Sequence, residues 1–210
     1  MWHKVNPISF RIPYIKTWKS TWFESKRTYK DSLSLDLKVR KILGTQLKGI
    51  PLGDILVAKN QDVLEVVVYT AKSSLILGKT GENKEQIVDL LTRKLSTKVS
   101  LEVRDVKNPD LNAKIVWFMI SNQIEKRMPY KRAIKQAIAK TMEKGAKWIK
   151  VKVGWRLNWA EIARKETFKD WNIPTQTIRS DIDYTTVRAE TVYGTIGLKV
   201  WIYKWDIYKK

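Results

Sequence analysis

The sequence predicts an α+β protein in which two domains follow an N-terminal segment. Between residues 35 and 106, apolar residues recur at helical spacing on either side of short runs rich in β-branched residues. From residue 108 the pattern is helical again, and from residue 147 onward it becomes that of strands. With 210 residues, 43% of them hydrophobic, the chain is long enough to give each domain a core.

Residues 1–34 are the predicted N-terminal arm. They mix basic and aromatic side chains around Pro7 and Pro13 without a sustained period. This composition is typical of an arm that orders against a partner, and equally of a segment that caps the protein's own core. The local pattern leaves both interpretations open.

Residues 35–107 predict a small α/β module. Its helices carry apolar stripes, and its strands are short and rich in valine, isoleucine and leucine. The predicted elements, in order, are a helix at 35–47, strands at 54–60 and 63–72, a short helical turn at 73–77, a helix after residue 81 and a strand at 98–106.

The loop of this module is Gly78-Lys79-Thr80-Gly81, with a cation between two glycines. KH modules clamp single-stranded nucleic acid with such a GxxG loop, because glycines let the backbone approach phosphates and helix N-termini supply N–H donors. A plain turn between helices, whose glycines serve only a positive φ, would have the same letters. The element order favours the KH interpretation.

Residues 108–210 predict the second domain. Asn108 is a candidate helix cap, and Pro109 suits a first helical position. The stretch 160–170 fits a helix and a strand equally. The other predicted elements are helices from Asn108 to about Arg127 and from Pro129 to near Gly145, and strands at 147–154, 182–192 and 196–204, the last two joined by "YGTIG".

The charge points to a polyanionic partner, and nucleic acid is the first expectation. The formal net charge is +20, from 41 Lys and Arg against 21 Asp and Glu. A membrane surface is the alternative polyanion, but no apolar run approaches the roughly 18 residues of a spanning helix. The N-terminus also lacks a signal-peptide pattern, so we expect a cytoplasmic protein without a membrane partner.

Catalysis and cofactor binding find little support. There is no cysteine, and His3 is the lone histidine, so we expect neither a zinc site nor thiol chemistry. No GxxxxGK[ST] loop is present. Asp181 and Asp183 alternate on one predicted strand face and could hold a metal, but among so many lysines we interpret them as salt-bridge partners. We expect no enzyme, no cofactor and no metal.

A cationic helix is the second candidate RNA contact. From Lys126 to Arg156 there are eleven basic residues and one acidic residue. On a helix opened by Pro129, Lys131, Arg132 and Lys135 share one arc, opposite an apolar side. A solvated helix face normally mixes charge signs, and this one scarcely does. We therefore expect phosphate contacts that position nucleic acid without reading its sequence.

The chain resembles the family of the third protein of the bacterial small ribosomal subunit over essentially its full length. The resemblance is carried by "HKVNP", "STWF", "LGKTGEN", "EKRMPYKRAIKQA", "AEIAR", "IDY" and "YGTIGLKVWIYK". It implies an N-terminal arm, a type II KH domain at 35–107, and a C-terminal domain at 108–210. That last domain would have two helices and a four-stranded, mostly antiparallel sheet. It also implies that 160–170 is a strand paired with 147–154.

The resemblance further implies a structural protein of the small-subunit head, bound to ribosomal RNA. In that family the positions of Lys131, Arg132 and Lys135 line the mRNA entrance channel and assist unwinding of structured mRNA. The implied protein neighbours are numbers two, four, five, ten and fourteen of the small subunit. We add Arg127 to the mRNA contacts, and expect further RNA contacts at Lys147, Arg156 and Arg164.

Tryptophan stands at several positions where this family usually has glycine: Trp2, Trp148, Trp155, Trp159, Trp171 and Trp205. Average glycine usage of about 7% predicts roughly 15 glycines here, and the chain has 9. One cause would cover all these positions, namely that the source organism decodes UGA as glycine while the sequence was translated with UGA as tryptophan. Alternatively, Trp155 and Trp159 are real and stack on RNA bases. Trp117 is not assigned either way.

Two other functions stay open at this point. A free-standing KH regulator of mRNA is a second binding-protein interpretation, and cosedimentation with small subunits through high salt would argue against it. A lyase or metal-dependent nuclease using Asp181 and Asp183 is the enzymatic one, and absence of cleavage with Mg²⁺ present would remove it.

Overall fold

The computed structural model describes residues 4–60, 63–78, 81–157, 160–192 and 194–208. The helices are α1 (Pro7–Phe10), α2 (Tyr29–Gln46), α3 (Ser74–Leu77), α4 (Glu82–Leu95), α5 (Ala113–Glu125) and α6 (Tyr130–Glu143), with a 3₁₀ turn at Pro109–Leu111. The strands are β1 (Ser20–Thr21), β2 (Leu52–Asn60), β3 (Val63–Thr70), β4 (Lys98–Asp105), β5 (Trp148–Trp155), β6 (Arg164–Asp170), β7 (Ser180–Thr191) and β8 (Gly194–Asp206).

The chain divides into two compact units. One unit is Trp18–Lys107, which we call the KH unit after the domain predicted there, and the C-terminal unit combines Met1–Thr17 with Asn108–Lys210. The fold is α+β, as predicted. The first 34 residues are shared between the units, and the position 34/35 falls inside α2.

The KH unit packs its helices on one four-stranded sheet of order β1-β2-β3-β4. Strand β2 pairs antiparallel with β3, and β3 pairs parallel with β4. Its core joins α2, the strands and α4 through fully buried residues that include Val39, Leu43, Val66, Val68 and Leu91. Helix α2 begins earlier than predicted. Residues 29–34 lack the apolar period on which the prediction relied, but Asp31 in the first turn favours a helix start there.

A buried carboxylate ties the second part of the arm to the KH unit. Asp36 on α2 accepts hydrogen bonds from Ser20 Oγ (2.5 Å) and from Arg40 Nε (2.7 Å). Arg40 also donates to the carbonyls of Ile55 (2.8 Å) and Lys19 (3.1 Å). These bonds hold β1 in parallel pairing with β2.

A buried arginine ties the first part of the arm to the C-terminal unit. Arg11 is 0% exposed, and its guanidinium donates to the carbonyl oxygens of Ser180 (2.6 Å), Pro7 (2.9 Å) and Thr177 (2.8 Å). Longer bonds reach the carbonyls of Thr175 and Pro174. Of the two interpretations of the arm, the contacts in its described part are those of a capping segment.

The C-terminal unit has a four-stranded sheet of order β6-β5-β8-β7, antiparallel throughout. Alternate residues of β5 and β8, such as Val151 and Val200, are fully buried in the core shared with α5 and α6. The residues between them point away from these helices, and we call that side of the sheet the open face. The predicted pairing of 160–170 with 147–154 is confirmed for β6, where Val151 lies opposite Phe168.

Two details of this unit differ from prediction. Helix α5 is capped by Asn112, whose side-chain oxygen accepts from Lys114 N at 3.0 Å, while Pro109 opens a separate 3₁₀ turn. Asn108 offers no side-chain cap. The stretch "YGTIG" belongs largely to β8, because Gly194 already pairs with Thr191 across the hairpin.

Candidate nucleic-acid interface

The GxxG loop joins α3 to α4, and both of its glycines have backbone conformations that side chains rarely adopt. Gly78 has φ 77° and Gly81 has φ 89°. A Cβ on Gly78 would also lie 3.0 Å from Asn83 Nδ2. Lys79 and Thr80 lie outside the described residues. The geometry therefore explains both glycines by local conformation.

Helix α4 starts at this loop without a side-chain cap, since its N-cap residue is Gly81. The N-terminal end of a helix attracts anions through its N–H groups and dipole. Glu82 and Glu85 in the first turn already supply part of that negative charge. A phosphate at this helix end would meet the negative charge of these two carboxylates.

Helix α6 presents the predicted cations to solvent. Ala133 and Ile134 are fully buried against the sheet, whereas Lys131, Arg132 and Lys135 are exposed. None of these three forms an ion pair with a residue in the described part of the chain. The helix thus offers positive charges that pair with no acidic side chain among the residues described.

Tyr130 anchors the start of α6 to the sheet. Its hydroxyl donates to Glu166 Oε1 at 3.0 Å, and its ring meets Phe168 edge-on at 6.4 Å between centroids. Burial raises the pKa of Tyr130, and the hydrogen bond to Glu166 raises it further. This anchor fixes the direction in which the next residues, Lys131 and Arg132, point.

Arg127 lies in the reversal between α5 and α6 and is exposed. Its φ of 63° is left-handed, a conformation in which glycine is commoner at a helix end. Its N–H donates to the Ile124 carbonyl at 2.9 Å, which closes the last turn of α5. Its guanidinium has no ion-pair partner among the residues described.

The three further predicted contacts do not form one site. Lys147 precedes β5, with its Nζ 5.9 Å from the Tyr203 ring centroid, and Arg156 follows β5. At about 3.4 Å per residue, the length of β5 separates them by roughly 30 Å. Arg164, opposite Trp155 at the start of β6, lies at the Arg156 end.

The suspect tryptophans fall into two classes. Trp155 and Trp171 have positive φ values of 135° and 61° and are 47% and 72% exposed. Trp148 and Trp205 lie in the regular strands β5 and β8, and Trp148 packs on Tyr203 at 4.9 Å between ring centroids. Trp2 and Trp159 lie outside the described residues. Trp117 is partly buried against the core from α5.

The aspartates of the alternative enzyme have structural partners. Lys16 Nζ lies 2.5 Å from Asp181 Oδ1. Asp183 Oδ2 accepts from Ala113 N at 2.8 Å, at the N-terminal end of α5. No group of three His, Cys, Asp or Glu side chains able to hold a metal occurs among the described residues.

Sequence reasoning missed the cations of the open face. They are Lys150, Lys152, Lys165, Lys169, Arg188 and Lys199, as the strand register places them. Their signal was visible in "KVKVG", where lysines alternate with buried valines. Only the pairing of four strands reveals that residues so distant in sequence share one surface.

Comparison with known proteins identifies both units. A family model described as "KH domain" matches residues 38–111, and one described as "Ribosomal protein S3, C-terminal domain" matches residues 120–202. A protein of Acinetobacter baumannii named "Small ribosomal subunit protein uS3" is 40% identical over 207 residues, covering 99% of this chain and 83% of the relative. Its namesake in Hydrogenovibrio crunogenus is 39% identical over 210 residues, covering 100% of this chain and 92% of the relative.

The chain belongs to the uS3 family of small ribosomal subunit proteins. The uS3 family is structural and non-enzymatic, and its KH domain places this chain among the RNA-binding proteins of translation. As a uS3 protein it is associated with the ribosome. Within the described residues, none of the helices has the length and apolar character needed to cross a bilayer.

Proposed function

We propose that this uS3 protein binds ribosomal RNA of the small-subunit head in the cytoplasm and lines the mRNA entrance channel, where it assists mRNA unwinding. The observation that carries the proposal is the row of exposed, unneutralised cations on α6: Lys131, Arg132 and Lys135. Cations without acidic partners attract phosphates and release counterions when they meet them. Arg127, which stands before the same helix, extends this surface.

The RNA contacts of the GxxG loop and of Lys147, Arg156 and Arg164 belong to the same proposal. So do the protein neighbours that the resemblance implies, numbers two, four, five, ten and fourteen of the small subunit. The net charge of +20 supports a role in which RNA, more than protein, surrounds the chain.

The test removes the three α6 cations together in reconstituted small subunits, as Lys131→Gln, Arg132→Gln and Lys135→Gln. We expect slower translation through an mRNA hairpin and unchanged translation of an unstructured mRNA, since the cations act on the incoming strand. Binding of the isolated variant to single-stranded RNA should lose about 2 from its log–log salt slope, at about 0.7 per phosphate contact.

A variant with the same charge loss on another helix is the control. Lys30, Lys38 and Lys41 are exposed on α2, and their replacement by glutamine changes the net charge equally. If both triple variants slow the hairpin message to the same degree, charge in general and not the α6 surface is responsible, and the channel role is refuted.

A further inference from the structure

The open face of the C-terminal sheet carries a concentrated positive charge. Three neighbouring rungs of the sheet are, in strand order, Lys169–Lys150–Trp201–Tyr184, Thr167–Lys152–Lys199–Thr186 and Lys165–Gly154–Gly197–Arg188. Lys152, Lys165, Arg188 and Lys199 form no ion pair with the residues described. Glu190, two residues beyond Arg188 on β7 and opposite Thr195, is an acidic residue on this face.

The pKa of Lys150 reflects both its burial and the cations around it. Burial lowers the pKa of Lys150, and the nearby charges of Lys4, Lys152 and Lys169 lower it further. Like charges gathered on one surface disfavour protonation unless an anion joins them. The open face thus carries positive charge that a bound anion would stabilise.

A depression of about 860 Å³ lies over this face, floored by glycines and flanked by cations. Gly154 and Gly197 pair with each other, between Lys165 on one side and Arg188 on the other. Three strand spacings of about 4.8 Å put the Cα atoms of these two residues roughly 14 Å apart. The floor between them has no side chains.

The fold itself does not require the two glycines. Neither has a positive φ, and the β5–β6 and β5–β8 ladders run through them without a bulge. A Cβ on Gly197 would meet the Gly154 carbonyl oxygen at an ordinary 3.8 Å, and one on Gly154 would meet the flexible Lys165 side chain at 3.4 Å. Glycine in a strand interior weakens the strand, and without a bulge or bend it marks close approach of another molecule.

We propose that the open face of the C-terminal sheet binds a single strand of ribosomal RNA, whose backbone crosses the glycine floor between Lys152, Lys165, Arg188 and Lys199. This inference rests on the proposed function, because it takes ribosomal RNA as the partner. It adds an RNA surface distinct from α6 and the GxxG loop, beside the proposed contact Arg164, which also lines the depression. Helices α5 and α6 pack on the opposite side of the sheet.

An aromatic pair beside the cations favours RNA over an acidic peptide. Tyr184 and Trp201 stack at 5.1 Å between centroids on the rung next to Lys152 and Lys199, and both stay partly exposed. Cations that track a backbone beside rings that accept bases are the usual arrangement for binding a single strand. Within the protein, Lys150 Nζ lies 5.4 Å from the Trp201 ring centroid. An acidic peptide would use the cations alone, whereas RNA could use the cations and the exposed parts of both rings.

The test measures binding of the full chain to an unstructured oligouridylate across a salt series. Lys152→Gln with Lys199→Gln removes two adjacent cations. We expect the log–log salt slope to fall by about 1.4 and the affinity at ~0.15 M salt to fall about tenfold. Lys38→Gln with Lys41→Gln, on α2, changes the net charge equally and should leave the slope nearly unchanged.

Gly197→Val tests the floor without changing charge. Valine favours strands, so the melting temperature should be unchanged or higher, while its side chain should keep the RNA backbone from the sheet and weaken binding severalfold. This variant separates a binding role from a folding role, because a purely structural glycine would show the reverse pattern.

The outcomes separate the two proposals. If the unaltered protein fails to bind RNA, the proposed function itself is lost. If it binds, but the sheet variants bind equally well with unchanged slope, the open face is not an RNA surface. If the variants keep RNA affinity but no longer join small subunits, the occupant is a protein, and the inference is again overturned.

Discussion

Trp155 and Trp171 occupy backbone conformations that clash with their own side chains. A φ of 135° at Trp155 brings Cβ against the backbone, and 61° at Trp171 is left-handed. Both rings are substantially exposed, so little packing compensates for the strain. We infer that these two positions call for glycine, which agrees with the interpretation that UGA encodes glycine in the source organism.

Replacing either residue should therefore stabilise the protein. Trp155→Gly and Trp171→Gly relieve about 1–3 kcal/mol of strain each, and the greater freedom of glycine in the unfolded chain offsets about 1 kcal/mol. A net gain of about 1 kcal/mol in the free energy of unfolding is expected, measured by denaturant titration. Trp205→Gly, in the regular strand β8, should instead lose about 1 kcal/mol.

Peptide mass spectrometry of the natively expressed protein decides the decoding question separately. Tryptic peptides that span Trp155, Trp159 and Trp171 should contain glycine at these positions. Tryptophan in those peptides would contradict the recoded UGA and would leave base stacking as the explanation for the β5–β6 loop.

At the scale of elements, the position of α6 depends on Tyr130, and this dependence should vary with pH. Tyr130→Phe removes the hydrogen bond to Glu166 and should lower the free energy of unfolding by about 1 kcal/mol near neutral pH. The folded-state pKa of Tyr130 is raised, so the folded protein holds this proton above the unfolded pKa of about 10.

The stability that Tyr130 contributes is therefore complete below pH 10 and is lost as pH rises through the folded pKa. Urea titrations of both proteins across this range should show the difference between them shrinking at alkaline pH. Tyr203, whose pKa is also raised, is present in both proteins and cancels. A difference that grows with pH would show that the Tyr130–Glu166 bond does not stabilise α6.

Local pattern predicted most elements, and the failures have physical causes. The alternation of apolar residues, mostly valines, correctly predicted β4 and β5, and Pro129 correctly predicted the start of α6. The cap moved from Asn108 to Asn112 because Pro109 opens a 3₁₀ turn that the one-dimensional pattern does not distinguish from an α-helix. The cations of α6 were predictable from one helix, whereas those of the open face depend on the register of four strands.

The burial of Arg11 could not be predicted from local sequence. In a basic, aromatic arm an arginine is expected to contact solvent or RNA, and four of the five carbonyl partners of Arg11 lie more than 160 residues away. The periodicity of apolar residues, which predicts helices and strands, carries no information about such a cage. The same limit explains why the arm's two interpretations stayed open.

At the scale of the whole molecule, the two units should unfold as separate transitions, each with its own arginine. Arg11→Gln leaves carbonyls of the C-terminal unit unpaired and should lower the stability of that unit by about 3–5 kcal/mol. Arg40→Gln should instead lower the stability of the KH unit, because it leaves the buried Asp36 carboxylate without its charged partner.

Calorimetry of the full chain, with the two transitions assigned by tryptophan and far-ultraviolet signals, makes each variant the control for the other. We expect each substitution to shift one transition and leave the other in place. If both variants shift both transitions together, the two units do not unfold independently.

The cage around Arg11 also orders events during synthesis. Residues 18–107 leave the ribosome as a complete KH unit, and domains fold as they emerge. The C-terminal unit, in contrast, joins Arg11 to Ser180 across 169 residues, so the first-made segment must wait for nearly the last. While it waits, its cations and aromatic side chains stay exposed, so a chaperone that covers residues 4–17 would delay formation of the C-terminal unit.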